Sequence, residues 1–395
     1  MMAETKYHTS DVSKMLEDFL NSKPLYYDEI DYTRMPYVYA KIKEHFIPTN
    51  IIHLVGTNAK GTTGRFLASA LHASGYKVAH YTSPHILKFN ERIWLNGFDV
   101  DDDVLEFHHD ILQKILPEPD LNALSYFEYT TFLAMLIFNT SDYIVLEAGL
   151  GGEFDATSVF DKTLSLVTPI DFDHEAFLGS KISDIARTKL NSIQNNAIIA
   201  TQKFEEVNEV AKEIALQKSI NIYTISDFLD EGDKTKIEQV SKNLSLVSYL
   251  SENLSLAVAA LKFFNIEYEV EDFNEAKLFG RLSKITDNII VDVGHNQLAA
   301  EAILKSLSPN KYILVYNSYQ DKNYKKILDV LKPLILHVEI IEIDNQRAES
   351  LNLIQDALKD LGIEYSAFEE IDDSEKYLVF GSFSVVEAFL KEYNG

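Results

Sequence analysis

The stretch that most constrains this chain runs from Ile51 to Leu71. An apolar run, Ile51-Ile52-His53-Leu54-Val55, is followed by Gly56-Thr57-Asn58-Ala59-Lys60-Gly61-Thr62-Thr63-Gly64 and then by the apolar-rich segment Phe66 to Leu71. The first run has the length and composition of a buried strand, and the last reads as a helix. Small residues between them let backbone N–H groups approach an anion closely, and a helix N-terminus favours negative charge. Lys60 has the reach for terminal phosphates, and a threonine hydroxyl suits Mg²⁺. The strict Walker spacing is not met, because here a glycine follows the lysine. An ordinary strand-turn-helix corner with a surface lysine is the competing reading of the loop alone.

The chain has 395 residues, which suggests two or three domains, and its 46% hydrophobic content is ample for large cores. A formal net charge of -25 argues against general binding to nucleic acid or an anionic membrane. An anionic nucleotide would need local positive charge, Mg²⁺ or backbone N–H groups at its site. There is no cysteine, so disulfides, thiolate nucleophiles and Cys-ligated metals are ruled out, and a cytoplasmic setting is expected. Met1 to Thr9 is polar and carries no signal-peptide core. The apolar run Phe132 to Phe138 is too short to span a bilayer.

Asp11 to Leu20 predicts an amphipathic helix with Val12, Met15, Leu16, Phe19 and Leu20 on one face. A polar and aromatic connector, 21–36, leads to a second helix over Tyr37 to Phe46. After the phosphate-type loop and its helix, Val78 to Tyr81 is the next strand, and the order β-loop-α-β suggests a parallel sheet. Thr82-Ser83-Pro84-His85 sits at that strand's C-terminal end, where open α/β sheets bind ligands; Ser83 either ligates a metal or caps the turn. Asp99, Asp101, Asp102 and Asp103 read as a solvated loop entering a helix rather than a metal cluster. Phe127 to Phe138 is an apolar helix and Tyr143 to Leu146 a buried strand. That strand ends in Glu147 and a glycine-rich loop, a common way to hold Mg²⁺ beside a phosphate loop. His174, just past the strand Leu164 to Ile170, is either structural or a metal or phosphate contact. Lys189 lies on the following helix. Residues 202 to 250 are more variable in pattern, with a charge-rich stretch, Asp230 to Lys236, that reads as loop. Asn253 to Phe264 is a helix. A junction falls near 270–285, and strands and helices then alternate from Asn288 to Tyr393, predicting a second, smaller doubly wound unit.

Taken together, these fragments resemble the folylpolyglutamate synthase and dihydrofolate synthase family, a branch of the Mur-ligase-like ATP-dependent amide ligases. The matching pieces are G-T-N-A-K-G-T-T, Y-T-S-P-H, F-N-E-R-I, S-Y-F-E, L-E-A-G-L-G-G-E-F-D-A-T, D-F-D-H-E-A-F-L-G, I-A-R-T-K, E-N, G-R-L and D-V-G-H-N, in the family's order, with F-G-S at Phe380 to Ser382. The resemblance implies an α/β fold: a P-loop-type, mostly parallel-sheet N-terminal ATPase domain, residues 1–277, and a smaller doubly wound C-terminal ligase domain, residues 278–395. It implies that ATP converts a pteroate or folate carboxylate to an acyl phosphate, which the amine of L-glutamate attacks. It also implies a cytoplasmic monomer whose partners are dihydropteroate or folate and L-glutamate, with ATP and Mg²⁺ and no nucleic acid or membrane.

Carried over by position, Ala59, Lys60, Gly61 and Thr62 resemble the ATP-phosphate segment, and Asn253, Arg281, Asp292 and His295 further nucleotide contacts. Ser83, Glu147 and His174, with Thr62, resemble the Mg²⁺ ligands. Lys189 matches a lysine that is carbamylated in the family, which would make it a ligand for a second Mg²⁺. Lys60, His174 and Lys189 are thereby the catalytic candidates. Tyr126, Phe127, Glu128 and Phe154, Asp155, Ala156 resemble the two pterin-binding segments. The chain departs from the pattern at Ala59 and at Asp292-Val293-Gly294, where the usual segment is D-G-A. It also carries Glu153 for the usual arginine, Ser158 for asparagine, and Thr188-Lys189-Leu190-Asn191-Ser192 for E-K-A-G-I. Ala59 fits if its φ is negative. The alternatives are a related Mur-type ligase for another carboxylate and amino acid, and a nucleotide-binding regulator without catalysis.

Overall fold

The computed structural model describes residues 9–24 and 31–394. Met1 to His8 and residues 25–30 of the expected connector lie outside the described residues. Two sheets organise the chain. The first contains β1 (Asn50–Val55), β2 (Val78–Tyr81), β3 (Ile93–Leu95), β4 (Phe98–Asp99), β5 (Tyr143–Glu147), β6 (Leu164–Val167), β7 (Asn196–Ile199) and β8 (Asn221–Thr224), in the spatial order β4-β3-β2-β5-β1-β6-β7-β8. Only the β2–β3 and β3–β4 pairs are antiparallel. The second contains β9 (Ser283–Lys284), β10 (Ile289–Asp292), β11 (Tyr312–Tyr316), β12 (Ile335–Ile340), β13 (Tyr365–Ala367) and β14 (Tyr377–Phe380), in the order β13-β12-β11-β14-β10-β9. It is parallel except at β9.

Both sheets are covered on both faces, as parallel sheets require. Successive side chains of β1 point to opposite faces. Ile51 packs with the helices Asp102–Ile115 and Tyr126–Ile137, while Ile52 and Leu54 pack with Lys60–Ala73 and Ser248–Phe263. In the second sheet Leu314 faces three helices within 297–361, and Val315 faces the C-terminal helix Phe383–Asn394. The lobes meet directly. Ile86, from the loop after β2, packs into the second lobe's core beside Ile289, Val291 and Val293.

Three local expectations change. Met15 is 51% exposed, because the buried stripe of the Thr9–Asn21 helix runs through Leu16 and Leu20, one residue further round. Asp230 to Lys236 is not loop. Asp230 caps a helix, Glu231–Asn243, through a reciprocal capping box with Asp233. Its acids satisfy the first-turn N–H groups and the helix dipole, so its charge reflects a helix start. Residues 202 to 250 also hold the helix Glu205–Lys218 and the strand β8.

Candidate active site

The register of the first sheet builds the site. Leu54 pairs with Glu147 across β1 and β5, and Tyr81 pairs with Leu146 across β2 and β5. The C-terminal ends of three adjacent strands therefore present Gly56, Thr82-Ser83 and Glu147 on one edge. This is where an open α/β sheet places its ligand. β1 lies between β5 and β6, so the loop after it is flanked by both.

The loop is compressed against its neighbours. Gly56 has φ +146°, and a Cβ there would lie 2.0 Å from Thr168 Oγ1. Thr168 Oγ1 donates to Asn58 O at 2.6 Å, and Thr57 Oγ1 donates to Asp171 O at 2.9 Å. Ala59, the residue before the helix Lys60–Ala73, has φ 73° and ψ -9°. The condition of a negative φ is not met: this alanine stands in the left-handed conformation that glycine adopts freely. The loop's geometry is imposed by Thr168, Asp171 and the helix start rather than by that residue's own preference.

Two lysines converge on one carbonyl. Lys60 Nζ donates to Gly56 O and Thr57 O at 3.3 Å each, and Lys189 Nζ, from the helix Ile182–Leu190, donates to Gly56 O at 3.0 Å. Glu147 completes the cluster 3.8 Å from Lys60 Nζ. Its carboxylate also accepts the Thr82 hydroxyl and the Ser83 N–H, the latter at 3.4 Å. Burial pushes the Glu147 carboxyl up, and Lys60, Thr82 and Arg281 oppose that shift. Burial lowers Lys189 to about 7, helped by the Lys60 charge. A sizeable share of this amine is therefore neutral near pH 7.

A second cluster lies beside the first and draws on both lobes. Asp173 accepts Lys322 and lies 3.6 Å from His295 Nε2 and 3.9 Å from His174 Nε2. Burial alone would raise Asp173, but the His295 hydrogen bond and the nearby His174, His295 and Lys322 side chains hold it well below the usual carboxylate range. His174, with φ 51°, is driven by burial to about 3 and is neutral at physiological pH. The Asn58 and Asn296 side chains bridge the lobes reciprocally, at 2.9 and 2.8 Å.

The other expected nucleotide residues form the lobe junction. Asp292, at the tip of β10, accepts Leu282 N at 2.9 Å, Gly294 N at 2.8 Å and the Tyr249 hydroxyl at 3.3 Å. Arg281 donates to Gly280 O at 3.0 Å, and its charge is felt by both Glu147 and Asp292. Asn253, one turn beyond Tyr249, is buried, and among the described residues its Nδ2 has no hydrogen-bond partner. A buried donor left unpaired fits a position awaiting a ligand acceptor. Thr62 is buried in the first turn of the Lys60–Ala73 helix. Ser382 caps the C-terminal helix by accepting Val385 N at 3.2 Å.

The expected pterin segments divide. Phe127 stacks on Tyr81 with ring centroids 5.9 Å apart, and Tyr126 lies under Arg92. Phe154 is half exposed and pairs with Tyr32, centroids 4.3 Å apart. Glu128 instead caps its own helix and receives Arg34 Nε at 2.9 Å. Asp155 is buried and accepts Leu150 N at 2.8 Å and Thr157 N at 3.0 Å, and Ala156 is buried beside it. These three are engaged within their own segments, Glu128 in a cap and an ion pair, Asp155 in loop hydrogen bonds and Ala156 by burial. Sequence reasoning assigned no role to Asp173, Lys322 or Asn58. The one signal for Asp173 was its place beside His174 in Asp171-Phe172-Asp173-His174.

The residues suit a nucleotide with Mg²⁺. Among the described residues no three His, Asp or Glu side chains are arranged to hold a metal ion by themselves. Glu147, with Ser83 beside it, offers an incomplete set of oxygen ligands, as suits Mg²⁺, which keeps waters and takes its remaining ligands from phosphates. Lys189, buried and partly neutral, has the chemistry that carbamylation requires, since CO₂ adds to the free amine.

Comparison with known proteins gives full-length likenesses. The chain is 39% identical to Helicobacter pylori folylpolyglutamate synthetase in its crystal structure, covering 96% of this chain and 98% of that one with a TM-score of 0.77. It is 30% identical over 368 residues to a dihydrofolate synthase/folylpolyglutamate synthase of Buchnera aphidicola subsp. Schizaphis graminum, 85% of this chain and 86% of the relative. The fold also matches a Yersinia pestis bifunctional folylpolyglutamate synthase/dihydrofolate synthase complexed with AMPPNP and Mn ion, at 21% identity and a TM-score of 0.77, covering 96% and 97% of the two chains. No family model matches the chain.

Proposed function

The chain belongs to the dihydrofolate synthase/folylpolyglutamate synthase family, and from that premise we propose that it joins L-glutamate to dihydropteroate, to (tetrahydro)folate or to both, using ATP. The observation that carries the reading is the convergence of Lys60 and Lys189 on Gly56 O, with Glu147 3.8 Å from Lys60. Phosphoryl transfer to a carboxylate needs positioning and charge neutralisation more than a side-chain nucleophile. Lys60 and the first turn of the helix neutralise the phosphates. Glu147, Ser83 and Thr62, with His174, are the residues that would hold Mg²⁺, which when bound neutralises the charge shared between the phosphates and the acyl oxygen. Lys189, as its carbamate, would hold a second Mg²⁺. Arg281, Asp292 and His295 bring the second lobe's side of the nucleotide site, and Asn253 adds a residue of the first lobe's Ser248–Phe263 helix. Tyr126, Phe127 and Phe154 offer flat apolar surface for a heterocycle.

We place the division of the chain at 277/278. The Ser248–Phe263 helix still packs on the first sheet's core, and β9 already belongs to the second sheet. A cytoplasmic monomer is part of the same reading. No helix of the described residues is long and apolar enough to cross a membrane.

The test is incubation of the purified protein with ATP, Mg²⁺, labelled L-glutamate and either dihydropteroate or tetrahydrofolate, read by mass. A glutamylated pterin and stoichiometric ADP are expected. Absence of any labelled pterin, with activity on cell-wall precursors instead, would overturn the assignment in favour of a different Mur-type ligase.

A further inference from the structure

We infer that Glu153 and Asn191 form a strap that positions Lys189, an inference that rests on the ligase reading of that lysine. Both residues stand where the family pattern has something else, arginine and glycine, and the two departures touch. Asn191 Nδ2 donates to Glu153 Oε2 at 2.9 Å, and Glu153 N donates to Thr188 O at 2.9 Å. The glycine-rich loop thus grips the last turn of the Ile182–Leu190 helix from both sides of Lys189. Gly152 makes the grip close, since a Cβ there would lie 2.8 Å from Lys189 O and 3.1 Å from its Cα. Ser192 Oγ donates to the same Lys189 O at 2.7 Å.

The strap is anchored at its far ends. Asp155 holds the loop through Leu150 N and Thr157 N, at 2.8 and 3.0 Å. On the other flank Lys218 donates to Asn191 O and to Ile193 O, the latter at 3.1 Å. Helix ends fray unless their groups are tied, and Lys189 is the penultimate residue of its helix. Its Nζ must nonetheless stay 3.0 Å from Gly56 O, beside Lys60. The Glu153–Asn191 bond adds a side-chain tie to the Ser192 bond on Lys189 O, and joins the glycine-rich loop to the helix end that carries the lysine while its side chain reaches across to the phosphate loop. Neither strap residue needs to touch substrate.

The test compares Glu153→Gln, Glu153→Ala, Asn191→Gly and the double variant Glu153→Ala/Asn191→Gly in the full chain. Gln offers the same acceptor oxygen and should keep kcat within about twofold. Ala should lower kcat about tenfold, as a small misplacement of a reacting group does, while KM for ATP changes less than about twofold. The double variant should be no worse than the worse single, because both remove one bond. Amide exchange over 188–192 should quicken in Glu153→Ala and not in Glu153→Gln. The inference is overturned by unchanged kcat and exchange in Glu153→Ala, by equal loss in the Gln variant, or by single-variant effects that multiply. Should the unsubstituted protein make no glutamylated pterin, the ligase reading fails by itself. The exchange comparison then decides the strap: quickening in Ala alone supports it, and equal rates in both refute it.

Discussion

Replacing Ala59 with glycine should stabilise the protein without weakening nucleotide binding. At φ 73° and ψ -9° the alanine Cβ crowds the backbone, a conformation that costs an L-residue about 1–2 kcal/mol. Glycine escapes that cost, but its looser unfolded chain returns roughly 0.5–1 kcal/mol. The expected net gain is about 0.5–1 kcal/mol. The loop is already fixed by Thr168 and by the first helical bond, Thr63 N to Ala59 O at 2.9 Å, so the substitution should not reshape it. Gly56→Ala is the natural contrast. Its new Cβ would meet Thr168 Oγ1 at 2.0 Å and Thr168 O at 2.9 Å, and such overpacking should cost about 3 kcal/mol. The chain's one tryptophan, Trp94 in β3, is buried and reports unfolding of the first lobe in urea. ADP affinity, measured by calorimetry, should be the same for Ala59→Gly and the unsubstituted chain. A lower urea midpoint for Ala59→Gly, or an Ala59→Val variant as stable as it, would refute the reasoning.

Lys60→Ala and Glu147→Ala should each cut ligation by about 10²–10³, the loss of one preorganised charge-neutralising group; unaltered turnover in either would put the site elsewhere. Lys162, whose amine donates to Ser158 O and Phe160 O at 2.7 and 2.9 Å, is lowered by burial to about 8. Its folded pKa lies below the unfolded value, so the unfolded chain binds more protons between about pH 8 and 10.5, and this residue makes stability rise with pH across that window. Lys162→Met should remove that rise, seen as a flatter difference in urea midpoint against pH, and an unchanged slope would contradict it. Asp173→Ala leaves the buried Lys322 ammonium without its main partner and should cost about 3 kcal/mol; a shift in urea midpoint equivalent to less than about 0.5 kcal/mol would mean that solvent already serves that amine.

What the chain showed before folding was its local grammar. Ile51 to Val55 announced a strand, Lys60-Gly61-Thr62 a helix start beside an anion, and Glu147 an acid at a strand tip, because each signal is complete within a few residues. The alternation after Asn288 announced the second sheet for the same reason. The cluster of Asp173, Lys322 and His295 was not legible. It joins positions 149 residues apart, and no spacing rule connects a residue after β6 with one after β11. The helix at Glu231 was misread because acids at a helix start and acids in a loop look alike until Asp230 and Asp233 are seen to cap each other. Ala59 shows a third kind of failure: the residue type spoke against the conformation that its neighbours enforce. Glu153 and Asn191 were noted as separate oddities, and their contact makes them one change.

The β5–β1–β6 arrangement has a consequence for assembly. Gly56 follows the middle strand, Glu147 ends the strand on one side, and Thr168 follows the strand on the other. The loop cannot take its shape until both flanking strands have docked, and β6 is made long after β1. Asp173 and Asn58 then require the second lobe as well. A chain lacking β6 or the second lobe therefore lacks part of the nucleotide site, and nucleotide should favour molecules in which both have docked. At a concentration of one hundred times Kd it would add about 2.7 kcal/mol to those molecules alone, so the substrate also serves as a selective stabiliser of completed chains.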